Sequence, residues 1–215
     1  KEPRLLTRAV FPETVAPMLG DINWNQDAPY NNACPLVQGS RSMTGCVATA
    51  MAMILKYHNF PVKGKGTHSY KTSSGLECSF DYGSTTFSWN EMRSQYVGGN
   101  YTTEEANAVA ELMHACGVAV DMEYSPSSSG AYPFKVGQAL IDYFGYDENL
   151  GYVCRQYFTS EEWMNMIKTE LSERRPVLYN GASKDVGHEF VFDGYDSQDM
   201  VHVNWGWGGL NNGYF

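Results

Sequence analysis

Cys46 stands directly after Gly45, where a turn-rich loop gives way to helix-like sequence in the stretch SMTGCVATAMAMILKYH, Ser42 to His58. A cysteine at a helix N-terminus lies against roughly half a positive charge of the helix macrodipole and beside unpaired main-chain N–H groups, which favours thiolate over thiol. Such a sulfur is a nucleophile. It needs an imidazole to exchange protons with it and with the leaving group, and a third group to orient that imidazole. Five histidines are available. His58 lies at the far end of the same helix, His68 in an irregular loop, His114 on an amphipathic helix, and His202 alternates with Val201 and Val203 on a strand; all four read as structural. His188 differs, because it begins a strand after Gly187, and Gly194 closes that strand. Asn204 ends the next strand inside NWGWGG. Two adjacent antiparallel strands would return it beside His188, where its side-chain oxygen accepts the imidazole N–H and Trp205 covers that bond from water.

The elements that must position these groups follow from periodicity. Val47, Ala50, Met51, Ile54, Leu55 and His58 recur at helical spacing, so Cys46 to His58 is expected to be a helix with one buried face. Residues 64–88 are expected to be loop with short extended pieces, and FSWNEMRSQY a short helix. Thr102 with Glu105, and Thr159 with Glu162, have capping-box spacing. They predict helices from about Thr103 to Cys116, stopped by Gly117, and after Thr159, with Pro176 beyond its end. Phe134 to Phe144 is a further helix closed by Gly145, and SPSSSGAYP is a turn. The period then drops to two in PVLYN, HEFVFDGYD and MVHVNWGW. Helices over about residues 16–175, followed by antiparallel strands over 176–215, predict an α+β fold of two segregated layers with a cleft between them. Residues 1–15 read as an N-terminal arm or maturation junction ahead of one domain, 16–215.

Composition excludes several functions. The chain has 215 residues, 43% of them hydrophobic and only 18% charged, which is a globular composition long enough to bury a core. A net charge of −9 without a basic cluster leaves no surface for phosphate neutralisation, so nucleic acid is not an expected partner. No apolar run reaches the length of a membrane span. The five cysteines form no CxxC pair or Cys/His cluster, so neither a metal nor another cofactor is expected. Cys34, Cys78, Cys116 and Cys154 lack the helix-start setting of Cys46 and read as structural.

The motifs also carry a resemblance. NQDAPYN, GCVATAMAMILKYHNFP, YSPSSSG, GHEFVFDGYD and HVNWGWGG occur in the order found in the streptopain family, the papain-fold bacterial cysteine peptidases, and cover about Ala16 to Phe215. The resemblance implies a papain-like fold, with Cys46 as nucleophile, His188 as general acid/base, Asn204 as orienting residue and Gln26 as oxyanion-hole donor. It also implies that Ser129, Gly130 and Gly187 line the substrate cleft, with Trp205 beside them. Family members continue beyond the GYF motif, whereas this chain stops at Phe215, so the expectation is that residues are missing or that the cleft is incomplete on one side. The resemblance further implies secretion from a bacterium, maturation from a zymogen by loss of an N-terminal propeptide, and protein or peptide substrates.

Three functions fit these residues. The leading one is a cysteine endopeptidase working through an acyl-enzyme. The second is an acyltransferase or transglutaminase-like enzyme on the same Cys-His-Asn site, in which an amine or thiol replaces water. The third is a non-catalytic peptide- or glycan-binding module that uses the Tyr- and Trp-rich surface.

Overall fold

The computed structural model describes residues 10–184 and 186–215. A small hairpin, β1 (Leu36–Val37) and β2 (Ser40–Arg41), precedes helix α1 (Cys46–His58). A second hairpin, β3 (Thr67–Lys71) and β4 (Glu77–Asp81), is followed by helices α2 (Thr103–Ala119), α3 (Lys135–Phe144) and α4 (Ser160–Ser172). The chain ends in a four-stranded antiparallel sheet with the order β5 (Val177–Ala182), β6 (Gly187–Tyr195), β7 (Val201–Asn204), β8 (Gly213–Tyr214). The architecture is therefore α+β, as the sequence predicts, although the helical part also carries two hairpins.

Helix α1 departs from the expected single buried face. Every residue from Val47 to Leu55 is buried, because the helix runs between α2 and strand β6. Its residues, with Val109, Leu112 and Met113 of α2 and Val191 of β6, belong to the main core. Strand alternation sends other β6 side chains to the opposite face, where Phe192 and Tyr195 pack with Ile167 and Leu171 of α4. The sheet thus has α1 on one face and α4 on the other.

Both capping boxes are formed, at Thr102/Glu105 and Thr159/Glu162, and Gly145 closes α3 in the left-handed conformation. Helix α2 does not stop at Gly117; it continues to Ala119. Gly117 serves close approach instead, since a Cβ there would lie 2.2 Å from the Tyr124 hydroxyl. The helix expected in FSWNEMRSQY is absent, and the segment forms turns. Its groups are claimed by a neighbouring segment, with Phe87 N–H donating to Val62 O at 2.9 Å and the Trp89 indole to Pro61 O at 2.9 Å.

Gly194 does not end its strand either. It sits in β6 beside a register shift, and a Cβ there would lie 2.6 Å from Val15 O. The N-terminal segment crosses at that point, where Val15 pairs with Tyr195 and Met18 N–H donates to Asp193 O at 2.8 Å. Of the arm expected over residues 1–15, residues 1–9 lie outside the described residues.

The Gly117 contact gives the first testable outcome. Gly117→Ala should destabilise the fold by about 1–3 kcal/mol through overpacking, and Tyr124→Phe, which removes the clashing hydroxyl, should recover part of the loss in the double variant. Urea unfolding of the two singles and the double reads the coupling; strictly additive losses would refute the contact.

Candidate active site

Three segments converge on Cys46. Gly45 caps α1 with φ 84° and provides no side-chain cap. A Cβ there would lie 2.7 Å from the Met122 side chain and 3.0 Å from Ser129 O, so both conformation and space require glycine. The hydroxyl of Thr49 donates to Gly45 O at 2.9 Å and meets that of Thr44 at 2.8 Å. The 125–130 loop is tied to the same strand-like entry: Met43 N–H donates to Ser125 O at 3.0 Å, and Ser129 Oγ donates to Met43 O at 2.7 Å. Gln26 arrives from the other side, its carbonyl accepting from Thr44 N–H at 3.1 Å.

The third approach is strand β6. The Cys46 thiol faces the main-chain N–H of Glu189, so the sulfur sits one residue along from His188. The His188 Nε2 lies 2.8 Å from Trp205 O. A carbonyl only accepts, so the proton is on Nε2, and Nδ1 is left as the proton acceptor. The imidazole lies in an aromatic surround, with ring centroids 4.7 Å from Trp207, 5.9 Å from Phe190 and 6.1 Å from Trp205.

Asn204 is placed differently from the expectation that it receives the imidazole N–H. It pairs across the sheet with Val191 rather than with His188. Its Nδ2 donates to Ile22 O at 2.9 Å and its Oδ1 accepts from Gly206 N–H at 3.1 Å. The imidazole N–H goes to the main-chain oxygen one residue further on, and Asn204 braces the turn that carries it. That turn is held at several further points. Trp205 N–H donates to Asn212 Oδ1 at 3.0 Å, its indole to Asn211 O at 2.9 Å, and Gly208 N–H to Trp24 O at 2.9 Å. Segment 22–26 therefore touches both the turn that holds His188 and the entry to α1.

The electrostatics also depart from the helix-start expectation. Burial pushes the Cys46 thiol up from its ordinary range, and the nearby Glu189 carboxyl adds to this, while the N–H groups of Glu189, Val47 and Cys46 pull it down. Burial pushes the His188 imidazole down, opposed by the hydrogen bond to Trp205. Each group alone is held towards its neutral form. A thiol and an imidazole that exchange a proton ionise as a unit rather than residue by residue.

The remaining cleft positions divide. Ser129 is buried and spends its hydroxyl on the Met43 and Ser125 carbonyls, which fixes the loop. Gly130 and Gly187 are exposed, and a Cβ at either meets nothing within 4 Å, so open space lies over both. Cys34, Cys78 and Cys116 are buried, and all five cysteines are free. Glu189 escaped the sequence reading, because an acid in an alternating strand that also carries Asp193 reads as ordinary.

Asn204→Ala should therefore act first on stability. Loss of its two buried hydrogen bonds should cost about 1–3 kcal/mol, read by urea unfolding, together with a weaker His188–Trp205 contact. An unchanged unfolding midpoint would contradict the bracing role.

The Peptidase C10 family model matches residues 24–215. Streptopain of Streptococcus pyogenes is 38% identical over 212 residues, covering 90% of this chain and 53% of that protein, so the chain spans about half the length of the curated relatives it matches. The thiol protease/hemagglutinin of Porphyromonas gingivalis is 36% identical over 95% of this chain and 25% of its own length. Active wild-type interpain A cysteine protease of Prevotella intermedia superposes with a TM-score of 0.90 at 41% identity, covering 95% of this chain and 87% of that one. A prointerpain A fragment from the same organism gives 0.89 at 42% identity, over 95% and 66%. With the family model spanning nearly the whole chain and a papain-like protease sharing its fold, the chain belongs to the peptidase C10 family.

Proposed function

We propose that this chain is the catalytic domain of a secreted bacterial cysteine endopeptidase, matured from a zymogen. The observation that carries the reading is the meeting of the Gly45–Cys46 helix start with the His188 end of β6. Relatives named as proteases support it, and the proform of interpain A supports an N-terminal propeptide as a partner before maturation.

The chemistry follows from the hydrogen-bond assignment. His188 Nδ1 takes the Cys46 proton while Nε2–H stays on Trp205 O, so the imidazolium keeps an acceptor at one nitrogen. The thiolate attacks the peptide carbonyl, and the Cys46 N–H with the Gln26 side-chain amide stabilises the oxyanion. His188 then protonates the leaving amine and later activates the water that releases the acyl group. Ser129, Gly130, Gly187 and Trp205 border the space in which the substrate backbone lies. Asn204 acts through the turn it braces, which makes it a positioning residue.

The acyltransferase reading shares the acyl-enzyme and differs in the acceptor. Mass spectrometry of products formed with and without added amine separates the two. Cys46→Ala should fold normally and lose peptide hydrolysis, and a peptidyl epoxide should inactivate the wild type by modifying Cys46 at one-to-one stoichiometry. Residual hydrolysis above trace in Cys46→Ala would sink the reading.

The ionisation argument adds a further outcome. Since thiolate formation draws on the imidazole, His188→Ala should slow alkylation of Cys46 near pH 6 by roughly 10- to 100-fold. The wild-type rate against pH should be bell-shaped, falling in acid as the pair gains a second proton and in alkali as the imidazolium is lost. Equal alkylation rates in wild type and His188→Ala at pH 6 would disprove the coupling.

A further inference from the structure

Glu189 is an acid only 4% exposed, set between His188 and Phe190, and its Oε2 has no hydrogen-bond partner among the described residues. Leaving a carboxyl oxygen buried and unsatisfied is costly, and an apolar residue would fill this place on β6 without that cost. Cys46 from α1 and Tyr152 from the segment before α4 lie close enough to feel the carboxyl's charge, and Asn180 from β5 close enough to hydrogen-bond it. The Asn180 amide also donates to His188 O at 3.3 Å. Asn180 is exposed and Tyr152 is 58% exposed, so two of the carboxyl's neighbours reach solvent.

We infer that Glu189 forms the floor of a substrate subsite beside Cys46 that takes the cationic side chain, lysine or arginine, of the peptide being cleaved. The inference rests on the peptidase reading. A guanidinium or ammonium supplies both the missing donors and the opposite charge, whereas an aliphatic side chain leaves the oxygen unpaired. Burial pushes this carboxyl up to about 7, against the pull of the Asn180 amide. Near neutrality it is thus divided between its two forms, and an arriving cation favours the ionised one. Its other titratable neighbours do not supply that cation: Cys46 and Tyr152 carry no positive charge in either form, and burial holds the His188 imidazole of the resting site, along the same strand, towards its neutral form. The preference for a cationic side chain should accordingly grow as pH rises from 5.5 to 8.

The test is a set of peptides identical except for Arg, Lys, Gln, Leu or Glu at each position flanking the scissile bond. The kcat/KM values are measured for wild type, Glu189→Gln and Glu189→Leu, with active enzyme titrated by a peptidyl epoxide. The wild type should favour Arg or Lys over Leu at one position by roughly 10- to 100-fold, rising with pH. Glu189→Gln should cut that ratio about tenfold and remove its pH dependence, and Glu189→Leu should abolish or reverse it. The same ratio in all three proteins overturns the proposal. So does an equal loss for every peptide, which would make Glu189 a group acting on the Cys46 thiol. Absence of hydrolysis of any peptide by a wild type that still titrates with the epoxide is a separate result, and it removes the peptidase reading itself.

Discussion

The site depends on a close approach at Gly45. Its backbone is left-handed, and the space where a side chain would stand is taken by Met122 and by the carbonyl of Ser129. That arrangement lets the 125–130 loop lock onto Met43, directs the chain abruptly into α1, and leaves the first N–H groups of the helix without a capping side chain. A helix buried along Val47–Leu55 cannot shift without disturbing the core. Cys46 consequently sits on a rigid support, at the end of the helix that meets strand β6.

A second constraint is the link between the two halves of the site. The imidazole belongs to the sheet and the thiol to the helical layer, so their alignment depends on whatever joins these layers. Segment 22–26 does so. Ile22 O receives Asn204, Asn23 Oδ1 receives the Asn212 amide at 3.0 Å, Trp24 O receives Gly208, and Gln26 O receives Thr44. Trp24 itself is fully buried. Orientation of His188 by a main-chain carbonyl rather than by an amide side chain puts the requirement on backbone geometry, and the Asn-rich turn 204–212 supplies the bonds that hold it.

Burial at this junction has an electrostatic cost, holding the Cys46 thiol and the His188 imidazole towards their neutral forms. Removing solvent penalises a lone thiolate and a lone imidazolium alike, yet favours their mutual attraction. Glu189 belongs to the same dry region, and its Oε2 is a local polar demand left unmet among the described residues.

The sequence by itself determined the elements with local causes: both capping-box helices, the αL stop at Gly145, the alternating strands, and the Gly45–Cys46 start with a histidine opening a later strand. Each is set by hydrogen bonds or side-chain periodicity within a few residues. Tertiary structure decided the rest. Gly117 and Gly194 read as stops but are points where Tyr124 and Val15 pass close by; FSWNEM reads as a helix, yet the Phe87 N–H and the Trp89 indole go to residues 62 and 61 and its other bonded N–H groups close only turns. Whether α1 buries one face or its whole circumference depends on what surrounds it, which no local pattern encodes. Asn204 and Trp205 are adjacent in sequence, and only the register of β6 against β7, with the brace from Ile22, assigns the imidazole's hydrogen bond to the carbonyl of one rather than the side chain of the other. The ionisation of Cys46 likewise turns on burial, a property of the assembled core that outweighs the helix end read from the chain.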